Sequence, residues 1–196
     1  GDSRASSVQN IGFAFSFGEN TYTQFSVNSD GNLRFGPTAT GTSNYSTPFS
    51  STNASVNNPK INLLGCDGFI TDSGYVKFEV TGAAPERVCV IEFALSTYNT
   101  TSRPSLLRWQ VQLFEGSNNI QIAYPSTTPP ILPNVTRQPG MCIDNTDIIL
   151  VNANHQMTHF TTGQGTANIA TGNWPDVNRY YLFTAPTVLC PKVFNL

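Results

Sequence analysis

Residues 108–124 read RWQVQLFEGSNNIQIAY, and they carry the clearest strand pattern in the chain. Apolar and polar side chains alternate on both sides of the centre of this stretch, a pattern that predicts two β-strands with one buried face each. Trp109, Val111 and Leu113 mark the apolar face of the first strand, and glutamines occupy the opposite face. The GSNN segment between the strands favours a tight turn, because glycine and asparagine tolerate a positive φ. The stretch therefore predicts a hairpin whose apolar face needs a second layer to cover it.

The same alternation recurs in short runs along the rest of the chain. Residues 11–17, IGFAFSF, place bulky apolar side chains on one face, and the pair Asp30-Gly31 predicts the turn of another hairpin. No segment shows a capped run with the 3.6-residue apolar period of a helix. Many short strands separated by turns predict an all-β fold, an antiparallel β-sandwich of jelly-roll-like type. The pattern leaves the strand order open.

The length of 196 residues fits one domain. Residues 1–10 are predicted to be an N-terminal tail, residues 11–185 the β-sandwich domain, and residues 186–196 a linker. Residues 38–59 are rich in Thr, Ser and Asn with little periodicity, which predicts a long surface loop. Long loops in compact domains are often functional.

The composition excludes several classes of partner. Charged residues make up only 11% of the chain, the net charge is -2, and no basic run occurs. Nucleic acids and acidic membranes are therefore not expected as partners, because both require clustered Lys and Arg. No apolar run approaches the roughly 20 residues of a membrane-spanning helix. The Thr-, Asn- and aromatic-rich mixture is typical of secreted, surface-exposed β proteins.

Four cysteines lie far apart in the sequence. They form no C-x-x-C pair, which argues against a zinc ribbon or a redox motif. Cys89 lies in the apolar run VCVI, and its simplest interpretation is a small buried hydrophobe. The alternative is one or two disulfides of an exported protein, drawn from Cys66, Cys89, Cys142 and Cys190.

The acidic and histidine residues offer few arrangements for chemistry, and no catalytic residue is assigned. His155 and His159 would lie about 13 Å apart on one strand, too far to share a zinc ion. Glu92 and Glu115 could meet across neighbouring strands within about 10 Å, as the carboxylates of a β-sandwich hydrolase. A structural calcium ion stays open at two pairs of aspartates beside turns, Asp67 with Asp72 and Asp144 with Asp147. No other cofactor is expected.

Two blocks of sequence resemble a known extracellular module. The first runs from IGFAFSFG to YTQFSVNSDGNLRFG, and the second joins RVCVIEF to RWQVQLFEGSNNIQIAY. Together they resemble an exported surface or cell-adhesion β-sandwich module of anaerobic Gram-negative bacteria, of the kind that precedes fibronectin type III repeats. The first block is also similar to the opening of nidogen-type extracellular domains. The resemblance implies a location at the cell surface in association with the outer membrane, an adhesive role, and the start of a fibronectin type III-like module within residues 186–196.

Aromatic side chains in polar loops are the candidate ligand contacts. Trp174 lies beside Asp176 in the segment NWPD, and Tyr98 lies in another polar segment. Exposed rings can stack on sugars while neighbouring polar groups bind the hydroxyls. The leading hypothesis is a non-enzymatic extracellular adhesion or recognition module whose ligand is a glycan or an extracellular protein. The alternatives are a carbohydrate-binding module attached to a glycan-degrading enzyme, a β-sandwich hydrolase and a structural spacer.

Overall fold

The computed structural model of the chain describes residues 3–42, 49, 57–62, 67–97, 106–125, 139–144, 147–152, 154–160 and 178–186. These residues contain no helix, which confirms the all-β prediction. They form thirteen strands: β1 (Gln9–Phe17), β2 (Asn20–Val27), β3 (Asn32–Phe35), β4 (Lys60–Asn62), β5 (Gly68–Phe69), β6 (Tyr75–Thr81), β7 (Val88–Thr97), β8 (Leu107–Phe114), β9 (Ile120–Tyr124), β10 (Gly140–Asp144), β11 (Asp147–Val151), β12 (Met157–Phe160) and β13 (Arg179–Phe183).

The strands form two antiparallel sheets that pack face to face, so the predicted β-sandwich is confirmed. Sheet 1 has the order β1-β2-β3-β4-β10-β11-β12. Sheet 2 has the order β13-β9-β8-β7-β5, and β6 also pairs with β7. Most neighbouring strands are consecutive in the chain, and the pairings of β4 with β10 and of β9 with β13 join strands that are far apart in it.

The hairpin of residues 108–124 forms the centre of sheet 2 as β8 and β9. Its register places Val111 opposite Ile122, and both side chains are completely buried. Gly116, with φ 77°, and Asn118, with φ 53°, make the turn. The hairpin, its buried face and its turn chemistry are confirmed.

The core fills the space between the inner faces of the two sheets. In sheet 1, Phe35 packs against Phe15 and Phe17 with ring centroids 5.7 and 4.8 Å apart. In sheet 2, Phe93 and Trp109 stack with centroids 5.4 Å apart and ring planes 6° from parallel. Large rings on both inner faces bury the apolar area that drives the sheets together.

The first strand begins earlier than the sequence pattern indicates. β1 starts at Gln9, inside the predicted N-terminal tail. Upstream of it, Ser6 donates its N–H to the Val27 carbonyl, and Ser29 donates its N–H to the Arg4 carbonyl, both at 2.8 Å. These bonds hold the start of the chain against the end of β2. The division into tail, domain and linker otherwise stays a prediction.

The turn end of the central hairpin ties sheet 2 to an edge of sheet 1. Arg87 Nη2 lies 2.6 Å from Glu115 Oε1, and Arg87 Nη1 donates to the Gly12 carbonyl at 2.8 Å. The Ser16 N–H donates to Asn118 Oδ1 at 2.7 Å. Gly12 and Ser16 belong to the edge strand β1, so these bonds occupy backbone groups that an exposed edge would offer to another chain.

The outer face of sheet 1 carries a second, smaller apolar cluster. Cys142, Ile148 and Leu150 contribute to it from β10 and β11, and Phe49 completes it with no exposed surface. Phe49 belongs to residues 38–59, which were predicted to form a surface loop. At Phe49 that prediction is wrong, because its ring is part of a buried cluster.

Two of the four cysteines lie among the described residues, and both are buried thiols. Burial raises the pKa of Cys89 to about 12 and that of Cys142 to about 11. Cys89 belongs to the core between the sheets, which confirms its interpretation as a small buried hydrophobe. Cys66 and Cys190 lie outside the described residues.

Candidate functional site

The ligand contacts predicted from the sequence are Trp174, Asp176 and Tyr98, and all three lie outside the described residues. Their role in binding therefore stays a prediction. The described surface offers a different candidate site, which is built from the outward side chains of sheet 2.

Glu92 and Glu115 do not form a catalytic pair. Glu92 lies opposite Gln110 in the β7–β8 register, whereas Glu115 follows β8 and binds Arg87. Five strand positions separate Gln110 from Glu115, which corresponds to about 17 Å at the rise of a β-strand. An odd number of positions also puts the two carboxylates on opposite faces. The hydrolase prediction, which required them within about 10 Å, is therefore wrong.

The two histidines have separate partners. His155 Nδ1 lies 2.7 Å from the Tyr181 hydroxyl, a contact that joins the β12 side of sheet 1 to β13 of sheet 2. His159 Nε2 lies 2.6 Å from Asp147 Oδ1. Within the described ranges, no three His, Cys, Asp or Glu side chains are grouped closely enough to hold a metal ion. A structural calcium ion stays a prediction.

The outward face of sheet 2 is rich in amide and aromatic side chains. The alternation that buries Val111 directs Gln110 and Gln112 to the opposite side of the sheet. We call this surface the amide face. Its members are Tyr75, Lys77 and Glu79 on β6, Val90 and Glu92 on β7, Arg108, Gln110 and Gln112 on β8, Gln121 and Ala123 on β9, and Tyr180 and Leu182 on β13.

One row of the amide face crosses sheet 2 from β6 to β13. The register aligns five side chains next to one another: Lys77, Glu92, Gln110, Ala123 and Tyr180. Neighbouring strands lie about 4.8 Å apart, so this row spans about 19 Å. It brings Tyr180, from the last strand, within reach of the glutamines of the central hairpin.

A continuous chain of side-chain hydrogen bonds runs through the amide face. Gln121 donates to Gln112 at 3.4 Å, and Gln112 donates to Gln110 at 3.0 Å. Gln110 and the Tyr75 hydroxyl both donate to Glu92, at 2.9 and 2.5 Å. Because the bonds all run towards the carboxylate, the amide groups have fixed orientations. Each primary amide has two N–H donors and an oxygen with two lone pairs, so the chain leaves further donors and acceptors for a ligand.

Two shallow cavities flank Gln110. The first has a volume of about 230 Å³ and is lined by Gln110, Ala123 and Tyr180 among others. The second has a volume of about 440 Å³ and is lined by Gln110, Lys77 and Val90 among others. Ala123 and Val90 are shorter than the side chains around them, which leaves these depressions in the sheet surface. Gln110 therefore lies where a ligand in either cavity would meet it.

The electrostatics of the amide face keep Glu92 ionised. Its hydrogen bonds from Tyr75 and Gln110 lower the pKa of Glu92, and the nearby charges of Arg108 and Lys77 lower it further. The Lys77 ammonium also lies 4.1 Å from the centre of the Tyr75 ring. At neutral pH the Glu92 carboxylate is therefore a fixed acceptor and not a proton donor.

Apart from Glu92, the members of the amide face were not among the predicted site residues, although the sequence contains their signal. Tyr180 and Leu182 alternate with the buried Tyr181 and Phe183, and this pattern predicts two outward apolar or aromatic groups on β13. Tyr180 is 59% exposed. The sequence does not reveal the register that places Tyr180 in the same row as Gln110, because that register joins strands far apart in the chain.

The fold and the amide face together define an all-β sandwich domain with one polar, aromatic-bearing sheet face. The model of the family described as NIDO related matches residues 1–185. The chain therefore belongs to the NIDO-related family, and this membership makes it an extracellular, adhesion-type module. The similarity to nidogen-type domains that was expected from the sequence is confirmed. No curated protein and no solved structure matches the chain.

None of the described residues belongs to a helix that is long and apolar enough to cross a membrane. An extracellular location agrees with the family. The association with the outer membrane, the bacterial source and the neighbouring fibronectin type III repeat stay predictions.

Proposed function

We propose that the chain is a non-enzymatic extracellular adhesion or recognition module that binds its ligand on the amide face. The observation that carries this proposal is the hydrogen-bonded chain from Gln121 to Glu92, which lies on the outward side of the sheet. Glutamines on that side do not build the core. Their fixed orientation supplies donors and acceptors that need little further ordering when a ligand binds, and such preorganisation favours affinity.

The carboxylates support a binding role over a catalytic one. A general acid works best with a pKa near the operating pH. Hydrogen bonds lower the pKa of Glu92 and of Glu115, which is the opposite of what a general acid requires. Glu115 is moreover occupied by Arg87 in a pairing that links the two sheets.

We further propose that the parent protein presents this module at a bacterial cell surface, in association with the outer membrane and ahead of a fibronectin type III-like repeat. The two resembling sequence blocks support this setting, and the family membership supports its extracellular part alone. Trp174, Asp176 and Tyr98 are proposed as additional ligand contacts. A carbohydrate-binding module that serves a glycan-degrading enzyme is the second candidate, and the exposed Tyr180 ring favours it.

Binding of the purified chain to immobilised extracellular-matrix proteins and to a glycan array tests the proposed function. We expect the wild type to bind at least one component. The combination of Gln110→Ala and Tyr180→Ala should weaken that binding by about tenfold or more, because central contacts carry most of the energy of an interface. Thermal unfolding of each variant establishes that the fold is retained.

The matched control is Gln24→Ala, which removes a half-buried glutamine from β2 in sheet 1. It should leave binding unchanged. The proposal is wrong if the wild type binds neither panel. It is also wrong if the double variant binds like the wild type while Trp174→Ala abolishes binding, since the site would then lie in the loops.

A further inference from the structure

We propose that the ligand of the amide face is a neutral, extended oligosaccharide that lies across the strands of sheet 2. This inference rests on the proposed function of the amide face and names its class of ligand. It follows from the hydrogen-bonding chemistry of the face, its exposed ring, its balance of charge and its spacing.

The hydrogen-bonding chemistry favours a polyol. Gln112 donates one N–H to Gln110 and accepts one from Gln121, so a second N–H and a second lone pair remain on the same amide. A group that both donates and accepts is complementary to a hydroxyl, which does the same. A row of amides is therefore complementary to a row of sugar hydroxyls, whereas a carboxylate or phosphate ligand would use only the donors.

The exposed aromatic group supplies the apolar part of sugar recognition. Tyr180 is 59% exposed and lies opposite Ala123, whose small side chain leaves the cavity of about 230 Å³ between the ring and Gln110. A pyranose ring has an apolar face of C–H groups and an equatorial rim of hydroxyls. In this cavity its apolar face can stack on Tyr180 while its rim reaches Gln110 and Gln121.

The charges of the face favour a neutral ligand. The face carries the basic side chains Lys77 and Arg108 together with the acidic side chains Glu79 and Glu92. A surface that binds polyanions presents one sign of charge. The mixed signs here would repel part of an acidic polysaccharide or of a charged peptide wherever it met a like charge.

The spacing of the face suits an extended chain. The row from Lys77 to Tyr180 repeats at the strand separation of about 4.8 Å. The rise per sugar of an extended, equatorially linked polysaccharide is close to that separation. Successive sugars that lie across the strands would therefore meet successive side chains of the row, and the two cavities would hold sugars on either side of Gln110.

Isothermal titration of the folded chain with cellohexaose, xylohexaose and mannohexaose tests this inference, with polygalacturonate as the acidic probe. We expect at least one neutral hexaose to bind. Tyr180→Ala should weaken that binding by about tenfold, because the stacked ring contributes a large share of the contact. Tyr180→Phe keeps the ring and should bind nearly as well as the wild type, and Gln24→Ala should bind like the wild type.

Several outcomes would overturn the glycan assignment. Binding of polygalacturonate without any neutral hexaose would do so, as would hexaose binding that Tyr180→Ala leaves intact. Binding of a matrix protein that the Gln110→Ala and Tyr180→Ala combination abolishes, with no hexaose bound, would reject the glycan while it upholds the amide face as a recognition surface. Absence of binding to every hexaose, every glycan of the array and every matrix protein would reject both.

Discussion

At the scale of single residues, Trp109 shows how one side chain fixes the buried face of a strand. It is completely buried and stacks on Phe93 of the neighbouring strand. A tryptophan in alternation with glutamines gives a strong preference for one orientation of the strand, because the reverse orientation would expose the ring and bury the amides. The sequence predicted this face for that reason.

Replacement of Trp109 tests its role in the core. Trp109→Ala should lower the free energy of unfolding by about 3–5 kcal/mol, the usual cost of the cavity that a large aromatic residue leaves. Trp109→Phe should cost less, because a phenyl ring can still stack on Phe93. Urea denaturation of both variants measures the effect, and a loss under about 1 kcal/mol for Trp109→Ala would contradict the assignment of Trp109 to the centre of the core.

Lys60 is buried, although its position in the sequence does not indicate a place inside the protein. It lies on β4 with no exposed surface, and its ammonium is 5.4 Å from the centre of the Phe49 ring. Burial lowers the pKa of Lys60 from 10.5 to about 8, since a low-dielectric surrounding disfavours the charged form. A charged residue beside a polar stretch normally indicates a solvated position. The burial of Lys60 therefore depends on residues that pack against it, such as Phe49.

The lowered pKa of Lys60 predicts a pH dependence of stability. Between pH 8 and 10.5 the unfolded chain keeps the Lys60 proton and the folded chain does not. This residue therefore raises the free energy of unfolding as pH increases, by about 1.4 kcal/mol per pH unit. Lys60→Met should lack that contribution, so the stability of the wild type relative to the variant should increase across this window. Urea denaturation from pH 7 to 10 measures it, and parallel curves would contradict the prediction.

At the scale of elements, the pairing of Arg87 with Glu115 couples the two sheets. Arg87 binds Glu115 at the turn end of sheet 2 and the Gly12 carbonyl on the edge of sheet 1. The hydrogen bonds from Arg87 lower the pKa of Glu115. A carboxyl group whose pKa is lower in the folded chain stabilises the fold at pH values above its unfolded pKa of about 4.3. This stabilisation is lost as the pH falls below that value.

Glu115→Gln should therefore be less stable than the wild type at pH 7, with the difference shrinking below about pH 4.3 as the wild-type carboxylate is protonated. Thermal unfolding of both proteins from pH 3 to 7 checks this expectation. Glu79→Gln is a suitable control, because Glu79 is an exposed carboxylate of β6. A difference that stays constant with pH would show that the ion pair does not couple to folding.

The strands themselves could be predicted from the sequence because each one carries its own period-2 signal. β3 follows the Asp30-Gly31 turn that the sequence predicted, and β9 follows the GSNN turn of the central hairpin. Alternation is a local property, so it can be recognised in one segment before the neighbouring strands are known. The partners of each strand are not local, and the order of the sheets was therefore not predictable.

The irregular parts of the fold also depend on distant neighbours. β1 contains a shift of register between Asn10 and Phe15, and Gly12 within it has φ 96°. A side chain at Gly12 would lie 3.0 Å from the Val80 side chain of the other sheet. Phe49 likewise packs on strands that follow it by about a hundred residues in the chain. Neither feature has a signal in its own sequence neighbourhood.

At the scale of the whole molecule, the two faces of sheet 2 have different roles. The inner face, with Trp109 and Val111, joins the core that holds the sheets together. The outer face, with Gln110 and Gln112, presents an ordered set of polar groups to a ligand. The sequence predicted both faces of the central hairpin. It could not predict the candidate site, because that site appears only when β6, β7 and β13 align beside the hairpin.

The most direct test of the amide face is a titration of the ¹⁵N-labelled chain with the three neutral hexaoses, followed by amide chemical shifts. We expect the largest shift changes on the backbone around Gln110, Gln121 and Tyr180, and no response from Gln24 on sheet 1. Changes confined to Tyr98, Trp174 and Asp176, or to sheet 1, would contradict the assignment of the ligand site to the amide face.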